Sequence, residues 1–264
     1  MTVWQTDTVP HVLYVYAIAR AGHPAPKELD VLSLEADGLC AFYAEVDAVD
    51  FSQAVIDARS KDVEWLGAIG YRHQTVMSAL MRDGTVIPLR AFTLFSNETS
   101  LRNHVLNERE KFMRILDRLE GKQEWTLRIE FQPEQWNEAL IRRVDSLRQL
   151  TSEIEQAASG KAYLLRKKLE DEKKRVSRDA EQQVVGEVEQ AVMQKLACDT
   201  VAESRLQRGG AFPQINVLIN RDEEARLQEL RDDLTRRYDP EGVTLALTGP
   251  WPPYSFAGTM NAER

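Results

Sequence analysis

The apolar positions of this chain fall into two rhythms, one extended and one helical. Residues 11–20, HVLYVYAIAR, are nearly all apolar and rich in β-formers, which predicts a strand buried on both faces. LCAFYAEV (39–46) predicts a second strand after a turn at Asp37-Gly38. A helix then follows Asp62, the candidate N-cap, with Trp65, Leu66, Ile69, Val76, Leu80 and Met81 at roughly helical spacing and Asp83-Gly84 at its end. TVIPLRAFTLF (85–95) predicts a strand whose start Pro88 relegates to an edge or a bulge. Ser96 is placed to cap the next helix, which carries Leu101, Val105, Leu106, Phe112, Met113, Leu116 and Leu119, with Gly121 as the residue after its end. These elements compose an N-terminal α+β domain over 1–121, a typical domain size.

In the second half, EWTLRIEF (124–131) alternates Trp125, Leu127, Ile129 and Phe131 with polar residues, the mark of a half-buried strand. Pro133 opens a helix that runs to Ser159-Gly160, and a long helix follows over 161–197, with Gly186 as its candidate break. VAESRLQR and QINVLINR predict two strands joined through Gly209-Gly210 and Pro213. A charged helix (222–238) holds Leu227, Leu230, Leu234 and Tyr238, and VTLALTG (243–249) is the last strand. Setting aside a helical insert at about 133–160, the order is β-α-β-β-α-β, the ferredoxin-like pattern. The expected fold class is therefore α+β with two domains: 1–121, and a modified ferredoxin-like domain over 122–264 that contains the long helix and the C-terminal GPWPPYSF segment.

Composition changes this picture little. The 264 residues are 43% hydrophobic and 29% charged, as in ordinary globular proteins. A net charge of −8 argues against nucleic acid as a partner, since that affinity comes from basic faces. Cys40 and Cys198 are isolated, which fits two buried thiols in a reducing cytosol. The N-terminus lacks the pattern of a signal peptide, and the run from Val12 to Ala19 is too short to span a bilayer, so a cytoplasmic location without membrane insertion is expected.

The sequence holds no phosphate-binding GxxxxGK, no GxGxxG, no HExxH and no GxSxG. His11, His23, His73 and His104 are scattered; His73 shares a helix with Glu64 and Tyr71, where a packed or capping histidine competes with a functional one. No catalytic, cofactor-binding or metal-binding residue is assigned, and no cofactor is expected. The most polarised segment is KAYLLRKKLEDEKKRVSR (161–178), with eight Lys/Arg against three Asp/Glu, a net of 8 − 3 = +5. It reads either as a solvated helix with pairs such as Arg166–Glu170 and Glu170–Lys174, or as a basic docking face that includes Arg166, Lys167 and Lys168. Leu165, Leu169, Val176, Ala180, Val184, Val188, Val192 and Leu196 form its apolar stripe.

GPWPPYSF (249–256) packs three prolines and three aromatics into eight residues. Proline cannot donate to a ladder, so the last strand is expected to stop at about Thr248 and to continue as a stiff, extended strip. Trp251-Pro252 is the candidate cis bond. Two roles compete: Trp251, Tyr254 and Phe256 fold back as a clasp on the core, or Trp251, Pro252, Pro253, Tyr254 and Phe256 present a docking edge.

A strand running into Gly-Pro-Trp-Pro-Pro-Tyr-Ser-Phe closely resembles the signature of the gas vesicle protein F/L family. DGTVIPLRAFTLF, preceded by a helix with His73, resembles the family's central Val-x-Pro-Leu-Arg strand. LEGKQEWTLRI and SGKAYLLRKK resemble its Gly-Lys-x-Glu-Trp turn and its Gly-x-x-Tyr-Leu helix start. One departure stands out: family members often carry Arg-Phe-Gly after the Pro-Leu, where this chain has Arg90-Ala91-Phe92. The resemblance implies a non-enzymatic accessory protein of gas vesicle assembly. Its partners would be the small hydrophobic shell protein and other gas vesicle accessory proteins, and its location cytoplasmic and gas vesicle-associated. Without the resemblance, the alternative is a ferredoxin-like regulatory or small-ligand-binding module.

Overall fold

The computed structural model describes residues 10–196, 199–201 and 213–258, and these divide into two compact units. Residues 10–122 and 252–258 form the first, and Gln123–Trp251 the second. The chain passes between the units at Lys122 and Gln123, where a boundary after 121 was expected, and GPWPPYSF, expected whole in the C-terminal domain, is shared by both. The motif is divided after Trp251.

The sheet of the first unit contains β1 (His11–Arg20), β2 (Leu32–Ala36), β3 (Leu39–Asp47), β4 (Val86–Pro88) and β5 (Leu94–Phe95). Its order is β2-β3-β1-β4, with β5 also on β1, and all pairs are antiparallel. β1 is central, which explains its unbroken apolar run: Tyr14, Tyr16, Ala17 and Ala19 join Val76, Met77 and Leu80 of α2 (Val63–Asp83) in one cluster. Leu13, Val15 and Ile18 are also buried and take the alternate positions along the strand. A register shift between Val15 and Ala17 exchanges the two faces. Asp62 caps α2, its side chain accepting from the Trp65 N–H. A short helix not expected from the sequence, α1 (Gln53–Arg59), precedes it and buries no residue.

The expected strand at 85–95 is two strands separated by a turn. Pro88 pairs with Ala17 on the edge of the ordered path, and the chain then turns at 90–93, where the Thr93 N–H donates to the Arg90 carbonyl at 3.2 Å. Phe92 occupies the left-handed region at φ +64, at the position where the family pattern carries glycine. A bulky residue there costs about 1–3 kcal/mol. Its ring stacks on Trp65 at 5.5 Å and lies near Phe51 and Tyr14, packing that offsets the strain.

Asn97, not Ser96, caps the next helix, because Asn97 and Ser100 exchange a reciprocal capping box. The single expected helix is α3 (Glu98–Asn107) and α4 (Arg109–Leu119), divided at Glu108, and each half buries its own apolar face. Gly121, at φ +67, follows α4 as expected.

The second unit holds β6 (Lys122–Phe131), β7 (Asp199–Val201), β8 (Gln214–Asn220) and β9 (Val243–Trp251) in the order β7-β8-β6-β9. The helix expected from Pro133 to Ser159 is α5 (Pro133–Arg143) and α6 (Asp145–Gln156). Extended Val144 separates them and packs on the core, so that Trp136 and Leu140 on one side and Leu147 and Leu150 on the other all reach it. α7 (Ser159–Lys195) passes Gly186 without a break and is ~55 Å long at 1.5 Å per residue. α8 (Glu224–Tyr238) buries Leu227, Leu230, Leu234 and Tyr238. Of the expected first hairpin strand VAESRLQR only Val201 is described, as the end of β7; Cys198, Gly209-Gly210 and the rest of VAESRLQR lie outside the described residues.

β9 does not stop at Thr248. It pairs with β6 as far as Trp251 opposite Glu124, with the register shifting between Glu124 and Thr126. Gly249 and Pro250 form this bulge, where no ladder donor is needed. Gly249 is at φ +143, and a Cβ there would lie 2.8 Å from the Trp125 ring. The cis bond is Gly249–Pro250, not Trp251–Pro252.

Candidate functional site

Two sets of residues carry the sequence-derived site, and they fall in different units. In the first unit, Pro252 and Pro253 are buried, after which the chain turns. The Phe256 and Ala257 amides both donate to the Pro253 carbonyl, at 3.2 and 2.9 Å. The strip is therefore extended only at its start. Phe256 is 2% exposed, with the Arg118 guanidinium 5.6 Å over its ring.

Tyr254 makes the contact that sequence reasoning missed. Helical spacing places His73 on the same face of α2 as Val76, Met77 and Leu80, and it is buried. Its Nδ1 lies 2.9 Å from the Tyr14 hydroxyl and its Nε2 2.8 Å from the Tyr254 hydroxyl. A neutral imidazole offers one donor and one acceptor, so one tyrosine receives a hydrogen bond and the other gives one. Burial holds the imidazole below its ordinary value, and burial also pushes the Tyr254 phenol up to about 12 and the Tyr14 phenol higher still. Neutral His73 between two protonated phenols is a hydrogen-bonded tie between α2, β1 and the C-terminal segment. Two family-like motifs far apart in sequence meet here. The available signal was Tyr14 and Tyr16 within a strand buried on both faces, since buried phenols need partners.

The same burial gives the first unit a pH dependence. His23, His73 and His104 are each held below 6.5, chiefly by burial. His23 is hydrogen-bonded to the Leu80 carbonyl, whereas the buried Nε2 of His104 has no partner. As pH falls through 6.5, these imidazoles take up protons in the unfolded chain before they do so in the folded one. The unfolded state then binds more protons, so stability present above that pH is lost progressively below it. We expect the urea midpoint of the first unit to fall from pH 7.5 to pH 5.5, with a shallower fall in His73→Gln; a midpoint that rises on acidification contradicts this.

In the second unit, Trp251 is 41% exposed and its indole N–H donates to the Thr248 hydroxyl at 3.2 Å. Trp251→Ala should therefore change stability by less than about 1 kcal/mol, read by urea unfolding. Of the expected clasp residues Phe256 is buried, whereas Trp251 and Tyr254 are exposed; the neighbouring Pro252 and Pro253 are buried.

Arg166, Lys167 and Lys168 are exposed on α7. Glu170 pairs with Lys173, and Glu172 with Arg175, three residues apart, in place of the expected Glu170–Lys174 spacing. Beside the three cations, Tyr163 and Leu164 are 68% and 66% exposed, which the stripe reading did not anticipate.

A cavity of about 320 Å³ lies among α5, α7 and α8, with Trp136, Leu140 and Val184 in its lining. Its charged groups are already paired: Arg143 with Glu241, and Glu187 with both Arg237 and the Tyr238 hydroxyl. An entering ligand would have to break these pairs. Among the described residues, no His/Cys/Asp/Glu group could hold a metal ion, and no helix is long and apolar enough to cross a membrane. Cys40 is buried, which pushes its thiol up to about 11.

Comparison with known proteins follows the same lines. The chain is 30% identical to gas vesicle protein L of Streptomyces sp. (strain CB03234), across 95% of this chain and 94% of that one. It is 24% identical to gas vesicle protein L1 of Halobacterium salinarum, across 86% and 80% respectively. The crystal structure of GvpF from Anabaena sp. PCC7120 superposes with a TM-score of 0.69 at 16% identity, covering 95% of this chain and all of that one. GvpF from Microcystis aeruginosa gives a TM-score of 0.62 at 15% identity, over 94% of this chain and 99% of that one. The model of the gas vesicle synthesis protein GvpL/GvpF family matches residues 12–258, and the chain belongs to that family.

Proposed function

We propose that this chain is a non-enzymatic accessory factor of gas vesicle assembly, acting in the cytoplasm and at the gas vesicle. It binds the small hydrophobic shell protein, other gas vesicle accessory proteins, or both. The observation that carries this reading is the family match across 12–258, which spans both units. The physical logic is direct. A strongly apolar subunit aggregates through exposed strand edges and apolar patches. An acidic protein of net charge −8 that covers such a surface keeps it dispersed until it is incorporated.

The second unit fits a modified ferredoxin-like domain. The reading rests on its strand order β7-β8-β6-β9, with helices leading from β6 to β7 and from β8 to β9. Within the C-terminal motif, Pro252, Pro253, Tyr254 and Phe256 serve as the clasp and Trp251 as the partner-facing side chain.

Co-expression of the shell protein with and without this chain tests the role. Soluble shell protein should rise, and the two should co-purify. Unchanged solubility together with no retention overturns the reading.

A further inference from the structure

We propose that the N-terminal third of α7 is a docking strip for an acidic protein segment that carries an apolar anchor. The inference rests on the reading of this chain as a protein-binding accessory factor and names the surface and the chemistry of the partner.

Four observations converge on this strip. First, the charge is local and opposite to that of the whole chain: 161–178 carries eight cations and three carboxylates, within a chain of net charge −8. Second, neutralisation within the helix stops short of the strip. Glu170 is taken by Lys173 and Glu172 by Arg175, and neither Arg166 nor Lys167 is held in an ion pair among the described residues. Lys168 acts on Glu172 only at longer range. Third, the helix end adds to the excess. Native helices place acidic side chains in the first turn, against the partial positive charge of the free amides. α7 has no acidic residue there and no side-chain cap, and Lys161 follows immediately. An anionic partner relieves this repulsion. Fourth, the cations surround an apolar spot. Tyr163 and Leu164 are two of the most exposed large apolar side chains among the described residues, while Ala162 and Leu169, on the opposite side of the same turns, are buried.

This combination selects the partner. Solvated lysines alone would form a salt-sensitive surface without specificity. An adjacent Tyr-Leu pair supplies a contact that a partner helix can cover with one apolar side chain, while its acidic residues meet Arg166, Lys167 and Lys168. An anionic membrane or a nucleic acid would meet the same cations, but both are extended polyanions that the remaining acidic surface of the chain repels.

The test is titration of the full-length protein with a synthetic amphipathic peptide of about 20 residues, its leucines flanked by glutamates, followed by fluorescence anisotropy. We expect saturable binding that weakens as salt is raised. Binding should fall at least about tenfold in R166E/K167E/K168E and several-fold in Y163S/L164S. All of these positions are exposed, and unchanged circular dichroism and Tm confirm that the variants fold. No peptide binding, or equal binding by wild type and both variants, overturns the proposal. So does tighter binding to phosphatidylglycerol vesicles or to duplex DNA than to the peptide. Loss only in the triple-charge variant reduces the strip to a non-specific basic patch and also overturns the anchor. The two readings separate cleanly. Equal peptide binding by wild type and variants removes the strip and leaves the accessory role standing, whereas unchanged shell-protein solubility together with no retention by wild type removes the accessory role.

Discussion

Phe256→Ala should destabilise the first unit by about 3–4 kcal/mol, the cost of truncating a buried aromatic whose cavity does not collapse. Phe256 is 2% exposed, Ala257 beside it is 3% exposed, and Arg118 loses its ring contact when the side chain is cut back. The turn anchored on the Pro253 carbonyl holds this ring in place, so the loss should spread to the whole segment. Urea unfolding followed by tryptophan fluorescence, with hydrogen exchange to assign the loss to the first unit, measures it. Tyr254→Phe is the companion. It keeps the ring but removes the hydroxyl bonded to His73, and should cost only about 1 kcal/mol. If Phe256→Ala costs as little as Trp251→Ala, the clasp is not a stabilising element and the segment is held elsewhere.

The second large effect lies at Gly242, where the chain leaves the 3-10 turn Asp239–Glu241 and enters β9. Its φ is +76, and an added Cβ would come within 2.4 Å of Gln135 Cβ and 3.1 Å of the Trp136 backbone nitrogen. The Gln135 amide end can swing away; the Gln135 Cβ and the Trp136 backbone cannot, because both are fixed in the first turn of α5 and the Gly242 carbonyl accepts from the Gln132 N–H at 2.7 Å. Left-handed strain of about 1–2 kcal/mol adds to about 1–3 kcal/mol of overpacking. Gly242→Ala should therefore lower the stability of the second unit by roughly 3 kcal/mol in thermal and urea unfolding. Gly186→Ala is the opposite case. It lies inside α7 with nothing within 4 Å of the new methyl, and should stabilise by about 0.5–1 kcal/mol. A Gly242 variant as stable as wild type would mean that the α5–β9 junction yields more readily than its close contacts imply.

These two positions mark the boundary between what pattern reading reaches and what it does not. Strands and helices with a continuous apolar rhythm were legible, because burial of one face, or of both in β1, writes a period directly into the sequence. The interruptions were not. α3 and α4 divide at Glu108, and α5 and α6 at Val144, without glycine or proline, because tertiary packing sets the direction of each half. Phe92 in a glycine conformation has the same origin: stacking on Trp65 holds a turn that local preference disfavours. Proline in GPWPPYSF suggested that pairing ends at Thr248, yet a bulge carried it to Trp251, since the Trp125 ring occupies the space that only Gly249 leaves open.

By itself the sequence determined the α+β class, the order of the main elements, the local charge reversal on α7 and the residues through which the family is recognised. Each of these depends on residue type and spacing along the chain. Tertiary structure alone decided which of those residues meet. It divided the terminal motif between two units, buried Phe256 while leaving Trp251 at the surface, and joined Tyr254 to His73. It also left Tyr163 and Leu164 uncovered beside three cations. Contacts between residues far apart in sequence follow from the packing of whole elements, and no local period records them.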